Sequence, residues 1–528
     1  MTDVDSLDGL RVLVAEAEVA GTAEARWRAV AAVDPTLVER IIHGVAADVP
    51  SGSSSASGVP QVVAVGTGAS PGVGTGVVCL TTEDVLDAAD RNEDALLVRE
   101  ETSPTDEVGM RMAVGILTAR GGVTSHAAVV ARGWGIPAVV GVPDMVVADD
   151  HVTLGDLQVD AGTVMSIDGG SGEVMVGAVE TSGPPGIGSV PELGVLLEWA
   201  DEVRGERVGV RANADRADDA VRARGFGAEG IGLCRTEHMF LGNRLPLVRA
   251  FLLATSPDEE AEALQALGAA QREDLNAVMV AMAPLPVTVR LLDAPLHEFL
   301  GEDAPEGWRE HNPMLGTRGI RLAVLREGLY RMQVRAILGA LDDADGTGVH
   351  AHAAILLPLV STASELALVR GWVLDEVETW GPAEPLLVGA MIETPRAALL
   401  ASEMAAHADF FSFGTNDLTQ MVFGLSRDDV VQRMMGTYLE LGLFPADPFT
   451  HLDAGVVAPL VAAATRSGRM VRPDMEVGVC GEHGGDPESI HLLVRAGVDS
   501  VSCSPFRVPV ARLAVAQALI SLDGWQAG

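Results

Sequence analysis

The spacing of apolar positions changes character along the chain. Residues 1–49 carry helical spacing, clearest in AEARWRAVAAVDPTLVERIIHG, and predict a helical N-terminal segment. PSGSSSASGVP, residues 50–60, then interrupts the pattern with the composition of a Ser/Gly linker. Residues 61–178 are dense in Gly, Val and Ala and predict one compact domain, and residues 179–194, which include ETSGPPGIGSVPELG, read as a second linker. From residue 195 to 528 short apolar runs recur, each followed by helical periodicity. They are RVGVRAN from 207, GIGLCRTE from 230, VTVRLLD from 287, AAILLPLV from 353, LLVGAMIE from 386, FFSFGTND from 410, VGVCGEH from 477 and SVSCSP from 500. Continuous apolar strands alternating with helices predict an α/β fold closing into a parallel (β/α)8 TIM barrel.

In such a barrel the carboxyl-terminal strand ends carry the active site. Here those ends offer Arg211, Arg235, Arg290, Glu393, Asn416, Asp417, Glu482, His483 and Cys503. Arg235 and Arg290 can clamp a phosphate or carboxylate. Glu393 and Asp417 offer oxygen ligands suited to Mg2+, and the combination points to phosphoryl transfer. The alternative is a ring of ion pairs closing the barrel top. Cys503, at the last strand end, can donate a proton to a bound substrate; read blandly, it is a small buried hydrophobe, as Cys234 and Cys480 are expected to be. HNPMLGTRGIRL, residues 311–322, follows the third strand and brings Arg318 and Arg321 toward the site.

A second stretch carries chemistry in the smaller domain. ARGGVTSHAAVVARG, residues 119–133, reads as the end of a strand (AVGILT), a turn at Gly121 and Gly122, and a short helix capped by Thr124 or Ser125. His126 then sits near a helix N-terminus, where the dipole favours a neutral imidazole beside an anion, as a phosphate-accepting nucleophile requires. A capped helix with a buried structural histidine has the same local grammar.

Composition narrows the choices. The formal charge of −38 excludes nucleic acid and anionic membrane as partners, since both need a basic surface. All 36 basic residues are arginines, so neither a Schiff-base lysine nor a P-loop lysine is available. The acidic N-terminus MTDVDSLDGL is unlike a signal peptide, no run of eighteen apolar residues occurs, and the expected location is cytoplasmic. Cys79, Cys234, Cys480 and Cys503 are too scattered for a disulfide framework and read as reduced thiols.

From about residue 60 onward the motifs resemble the phosphoenolpyruvate-utilising enzymes, most closely the pyruvate, phosphate dikinases. The resemblance rests on GILTARGGVTSHAAVVARGWG, FGAEGIGLCRTEHMF, NPMLGTRGIRL, MIETPRAAL, FFSFGTNDLTQMVFGLSRDD and CGEHGGDP, in that order. It implies that residues 61–178 are a swivelling phosphohistidine domain with His126 as phosphate carrier, and that residues 195–528 bind phosphoenolpyruvate or pyruvate with Mg2+. By motif, Arg235 and Arg290 would meet the phosphoryl group, Glu393 and Asp417 would ligate Mg2+, and Gly414, Thr415 and Asn416 would line the pocket. Cys503 would protonate the enolate, and the Thr124 position is one where family members can be regulated by phosphorylation. The family also implies a homodimer. Its dikinases carry an N-terminal ATP-grasp domain, whereas about 50 residues precede the linker here, so the expected second partner is a separate ATP-grasp or phosphoacceptor protein. Two other functions fit the same residues: a sensor of phosphoenolpyruvate or pyruvate without turnover, and a phosphocarrier like Enzyme I of the sugar phosphotransferase system.

Overall fold

The computed structural model describes residues 4–43, 61–91, 93–102, 106–122, 125, 127, 128, 130, 131, 135–155, 157–179, 187–240, 244–300, 308, 310–382, 384–430 and 434–524. Two compact units result, Met1–Leu196 with Arg427–Pro445, and Leu197–Ser426 with Ala446–Gly528.

In the first unit the helical spacing near the N-terminus becomes the helices Leu7–Ala20, Ala23–Ala32 and Pro35–His43. Ser6 and Thr22 cap the first two through their hydroxyls, accepting from Gly9 and Ala25 N–H, and Gly21 ends the first at a left-handed φ of 63°. Residues 61–176 build an eight-stranded mixed sheet in which Val73–Cys79, Ala95–Arg99, Gly115–Thr118 and Ala138–Val140 run parallel as neighbours. Strand alternation splits its side chains between two cores. Cys79, Ala95, Leu97 and Ile116 face the helix side with Ala127, Ala128 and Ala131. Val78, Leu96, Val98 and Leu117 face the other way, toward the three-stranded sheet Met145–Val147, His151–Leu154 and Leu157–Asp160.

In the second unit the eight apolar runs form one closed barrel, taken here as β1 (Gly209–Asn213), β2 (Ile231–Arg235), β3 (Pro286–Arg290), β4 (His352–Leu357), β5 (Leu387–Ile392), β6 (Phe410–Phe413), β7 (Glu476–Val479) and β8 (Ser500–Cys503). Every neighbouring pair is parallel, and β8 returns to β1 in the register Cys503 to Ala212. Crossover helices cover the outside, for example Ala363–Trp380, opened by a Thr362/Glu365 capping box and closed by Gly381 at φ 69°. The helix Val508–Leu522 closes the order; residues 505–522 are apolar enough to cross a membrane by length and composition, but 67% of that window is buried inside the protein, as in a core helix.

Two expectations change. The helix Pro191–Arg204 begins inside the stretch 179–194 read as a linker, because Pro191 in the first turn has no N–H for the helix to lose; residues 180–186 lie outside the described residues. Arg211 is not a rim residue. It sits in the middle of β1, level with Ser502, and its Nη2 meets Glu476 Oε1, at the first position of β7, at 2.7 Å. It therefore reaches toward the amino-terminal end of the barrel.

That end is tied by a buried arginine. Arg204, 3% exposed, forks both Nη atoms onto Glu229 at 2.9 and 2.8 Å and donates Nε to Asp201 at 2.8 Å. Arg512 grips the same Asp201 through Nε at 3.1 Å and also donates to Phe226 O. Burial opposes the charge of Arg204, yet Glu229 and Asp201 hold its pKa above the ordinary value. Removing the fork leaves Glu229 without its charged partner and Asp201 with Arg512 alone. Arg204→Met should therefore lower stability by about 2–3 kcal/mol, read as a fall in the thermal midpoint.

Candidate active site

The carboxyl-terminal rim begins with two neighbouring strand ends. Arg235 closes β2, Arg290 closes β3, and the two are direct register partners, so their guanidinium groups start from adjacent Cα positions. Arg290 is 6% exposed and engaged on two sides, with Nη2 on Glu237 Oε1 and Nη1 at 3.3 Å from Asp293 Oδ2. Burial works against its charge, but Glu237, Asp293 and Glu393 together keep its pKa raised. Arg235 is held more loosely. Its side chain is 28% exposed, with Nη1 3.9 Å from Asp215 Oδ2, while its backbone N–H donates to Asp215 Oδ1 at 2.6 Å. Asp215 also bonds His238 Nδ1 at 2.6 Å.

Asp293, three residues beyond Arg290, is the joint between strands. Both its oxygens accept from Arg318, from Nε and Nη2 at 2.8 Å each, in a bidentate pair. Burial would raise the pKa of Asp293, and Arg318 and Arg290 overcome that and lower it. A buried polar frame fixes the backbone that carries it. Gln333 accepts from Leu292 N–H at 2.9 Å and donates to Thr236 Oγ1 at 3.0 Å, and Tyr330 OH donates to Leu292 O at 2.9 Å. Arg318 then passes the network on, with Nη2 3.2 Å from Asp417 Oδ1.

Glu393 follows β5 and is fully buried. Leu359, in the left-handed region at φ 56°, donates its N–H to Glu393 Oε1 at 2.5 Å. Glu393 Oε2 has no hydrogen-bond partner among the described residues, and the same holds for Arg290 Nε and Glu237 Oε2. Burial, then repulsion from Asp417 and Asp293, pushes the Glu393 carboxyl well above the carboxylate range. Gly414 is required by close approach: a Cβ there would stand 2.4 Å from Glu393 Oε2 and 2.6 Å from Met391 Cε.

Gly414 caps the helix Thr415–Phe423, whose first turn supplies Asp417. The three residues expected to line a pocket differ in what they can offer. Thr415 is fully buried and bonds His483 Nδ1 at 2.8 Å, and His483 Nε2 lies 3.0 Å from Pro448 O. A carbonyl only accepts, so in the neutral ring Nε2 carries the proton and Nδ1 accepts from the Thr415 hydroxyl. His483 is thus a structural histidine rather than a rim ligand, and Thr415 serves it. Asn416 Oδ1 accepts from Glu482 N–H at 3.2 Å. Cys503 ends β8, beside β1, and is 1% exposed. Burial pushes its thiol up to about 12 despite Arg507, so the sulfur carries a proton at neutral pH. All four cysteines are free thiols, and all are buried.

The structure thus brings Arg235, Arg290, Arg318, Glu393 and Asp417 to one rim and adds Asp215, Glu237, Asp293 and His238, none of which the sequence singled out. Their signal was present in VRANAD at β1 (Asp215), in RTEH at the end of β2 (Glu237, His238) and in the Arg-x-x-Asp spacing after β3 (Asp293).

In the smaller unit, the segment after Gly115–Thr118 turns at Gly121, φ 112°, and Ser125 donates its N–H to Gly122 O at 2.9 Å. Ser125 Oγ accepts from Ala128 N–H at 3.4 Å, so of the two expected caps Ser125 is seen to act, ahead of helical residues 127, 128, 130 and 131. Thr124 and His126 lie outside the described residues.

Comparison with known proteins agrees with both units. Residues 194–520 match the family model described as "PEP-utilising enzyme, PEP-binding domain", and residues 91–172 match "PEP-utilising enzyme, mobile domain". The chain is 46% identical over 494 residues to the chloroplastic pyruvate, phosphate dikinase of Flaveria bidentis, covering 87% of this chain and 51% of that protein. It is 44% identical over 522 residues to pyruvate, phosphate dikinase 1 of Arabidopsis thaliana (93% and 53%) and 44% identical over 525 residues to pyruvate, phosphate dikinase 2 of Zea mays (94% and 58%). The chain spans about half the length of the curated relatives it matches. With a closed parallel barrel, a charged carboxyl-terminal rim and both domain models matched, the chain belongs to the phosphoenolpyruvate-utilising enzymes.

Proposed function

We propose that the chain is a cytoplasmic, Mg2+-dependent phosphotransferase that runs the phosphoenolpyruvate/pyruvate half-reaction through phosphorylated His126, with Cys503 as proton donor. The observation that carries this reading is the charge at the rim. Three guanidinium groups (Arg235, Arg290, Arg318) stand among four carboxylates (Asp215, Glu237, Asp293, Asp417) and the buried Glu393 carboxyl, whose Oε2 has no partner among the described residues. Such a rim rejects a multiply charged anion unless a divalent cation enters with it. The oxygen-only pair Glu393 and Asp417 fits Mg2+, which takes few protein ligands and completes its shell with water and substrate oxygens. When bound, Mg2+ neutralises charge on the enolate and phosphoryl oxygens.

The chain's own residues do the rest. Arg235 is the more exposed and more loosely held of the two strand-end arginines, and Arg290 is locked by Glu237 and Asp293, so the first adapts to the phosphoryl group and the second sets the fixed side of the clamp. A ring nitrogen of His126 attacks phosphorus, forming the N–P bond as the P–O bond to the enol oxygen breaks and its electron pair stays on the enolate. Cys503 Sγ–H gives its proton to the methylene carbon, completing pyruvate, and the thiolate regains a proton from solvent. In reverse, the thiolate removes a methyl proton. The phosphate on His126 then passes to or from a second phosphate donor or acceptor.

Incubation with phosphoenolpyruvate labelled in its phosphate should give an acid-labile label on the chain that needs Mg2+ and does not form when EDTA is present from the start. His126→Ala should abolish it, and persistent label in that variant would exclude the carrier role. Cys503→Ala should slow exchange of the pyruvate methyl protons in D2O by about 100- to 10,000-fold, with phosphoenolpyruvate binding by calorimetry unchanged. Equal exchange in both proteins would remove the thiol from the reaction.

A further inference from the structure

At the opposite, amino-terminal end of the barrel a second group of ligand-type side chains converges. His352 is the first residue of β4 and His350 lies two positions before it, a spacing that puts both rings on one face of an extended chain. Glu384, in the approach to β5, receives both: Oε1 is 3.1 Å from His350 Nε2, and Oε2 is 2.9 Å from His352 Nδ1. Asp345, near the end of the helix Glu327–Gly346, stands 3.4 Å from His350 Nδ1. The two rings meet edge to face, with centroids 4.7 Å apart.

We propose that His350, His352 and Glu384, with Asp345 beside them, form a binding site for a borderline divalent transition ion of the Zn2+ class. One ligand atom from each of His350, His352 and Glu384 can be chosen so that all lie within 4.8 Å of one another. Two donors on one tetrahedral Zn2+ stand about 3.4 Å apart, so the residues need only small movements. They are free to make them, since the His350, His352 and Glu384 side chains are 60%, 36% and 53% exposed. Two imidazole nitrogens with carboxylate oxygen select Zn2+, Co2+ or Ni2+ over Mg2+, which prefers oxygen alone and strict octahedral geometry. The ligands come from the start of β4 and the approach to β5, so a bound ion ties these two segments together, with Asp345 at the end of the neighbouring helix holding His350. That end of a barrel serves stability rather than chemistry, and the ion's role here is a structural clamp. The site shares no residue with the rim that carries Glu393 and Asp417.

The test uses the full chain, stripped with chelator and kept in millimolar Mg2+ to occupy the oxygen-only rim site. Calorimetric titration with ZnCl2 should show one ion per chain, and titration with Co2+ should give the visible absorption of a four-coordinate ion. The double substitution His350→Ala with His352→Ala should weaken Zn2+ binding by at least the ~10–100-fold that loss of an outer-shell partner costs. It should also abolish a Zn2+-dependent rise in thermal midpoint seen in the unsubstituted chain. Neither side chain is buried, so the variant folds, as circular dichroism without metal will report. Equal Zn2+ affinity in the two proteins, or no binding by the unsubstituted chain, would overturn the proposal.

Discussion

Asp293 sits buried between two guanidinium groups, and the carboxyl-terminal rim depends on that arrangement. A lone carboxylate at that depth would be strongly disfavoured, and two buried arginines alone would repel each other. Together they fix Arg290 at the end of β3 and Arg318 on the segment that follows it, and Arg318 in turn holds Asp417. Gln333 and Tyr330 hold the backbone on either side, so the charge network rests on a helix as well as on strands. Placement of this kind prepays the reorganisation that phosphoryl transfer would otherwise require.

The same network explains why the rim is incomplete by itself. Arg290 and Arg318 spend their charge on Glu237, Asp293 and Asp417, and Glu393 Oε2 has no hydrogen-bond partner among the described residues. Gly414 leaves just enough room for that carboxylate. Stability alone would have replaced Glu393 with an apolar side chain, because a buried carboxyl without a full set of partners is costly. In the proposed function that cost is met by a cation held between Glu393 and Asp417.

The barrel was legible because each of its strands is a short, unbroken apolar run followed by helical spacing, and all eight runs became strands in chain order. Ser125 could be read as a cap for a similar reason, since capping is decided within a few residues. Depth and direction along a strand were not legible. Arg211 and Arg290 both sit in apolar runs, yet one lies in mid-strand and pairs with the first residue of β7, while the other ends its strand among carboxylates. His483 looked like a rim ligand because it follows a strand, and its true partners, Thr415 and Pro448, come from distant segments. Asp293 and Glu237 were missed because a sequence does not distinguish a carboxylate that holds an arginine from one that holds an ion. That difference is made by which loops fold back over the strand ends.

The proposed dependence of the rim on an added cation is tested most directly by titrating phosphoenolpyruvate into the chain in a calorimeter, with Mg2+ and then with EDTA. Binding should appear with Mg2+, vanish with EDTA, and be lost in Asp417→Asn even when Mg2+ is present. Equal affinity with and without the metal would contradict the assignment of Glu393 and Asp417, and with it the reading of this rim as a metal-assisted phosphoryl-transfer site.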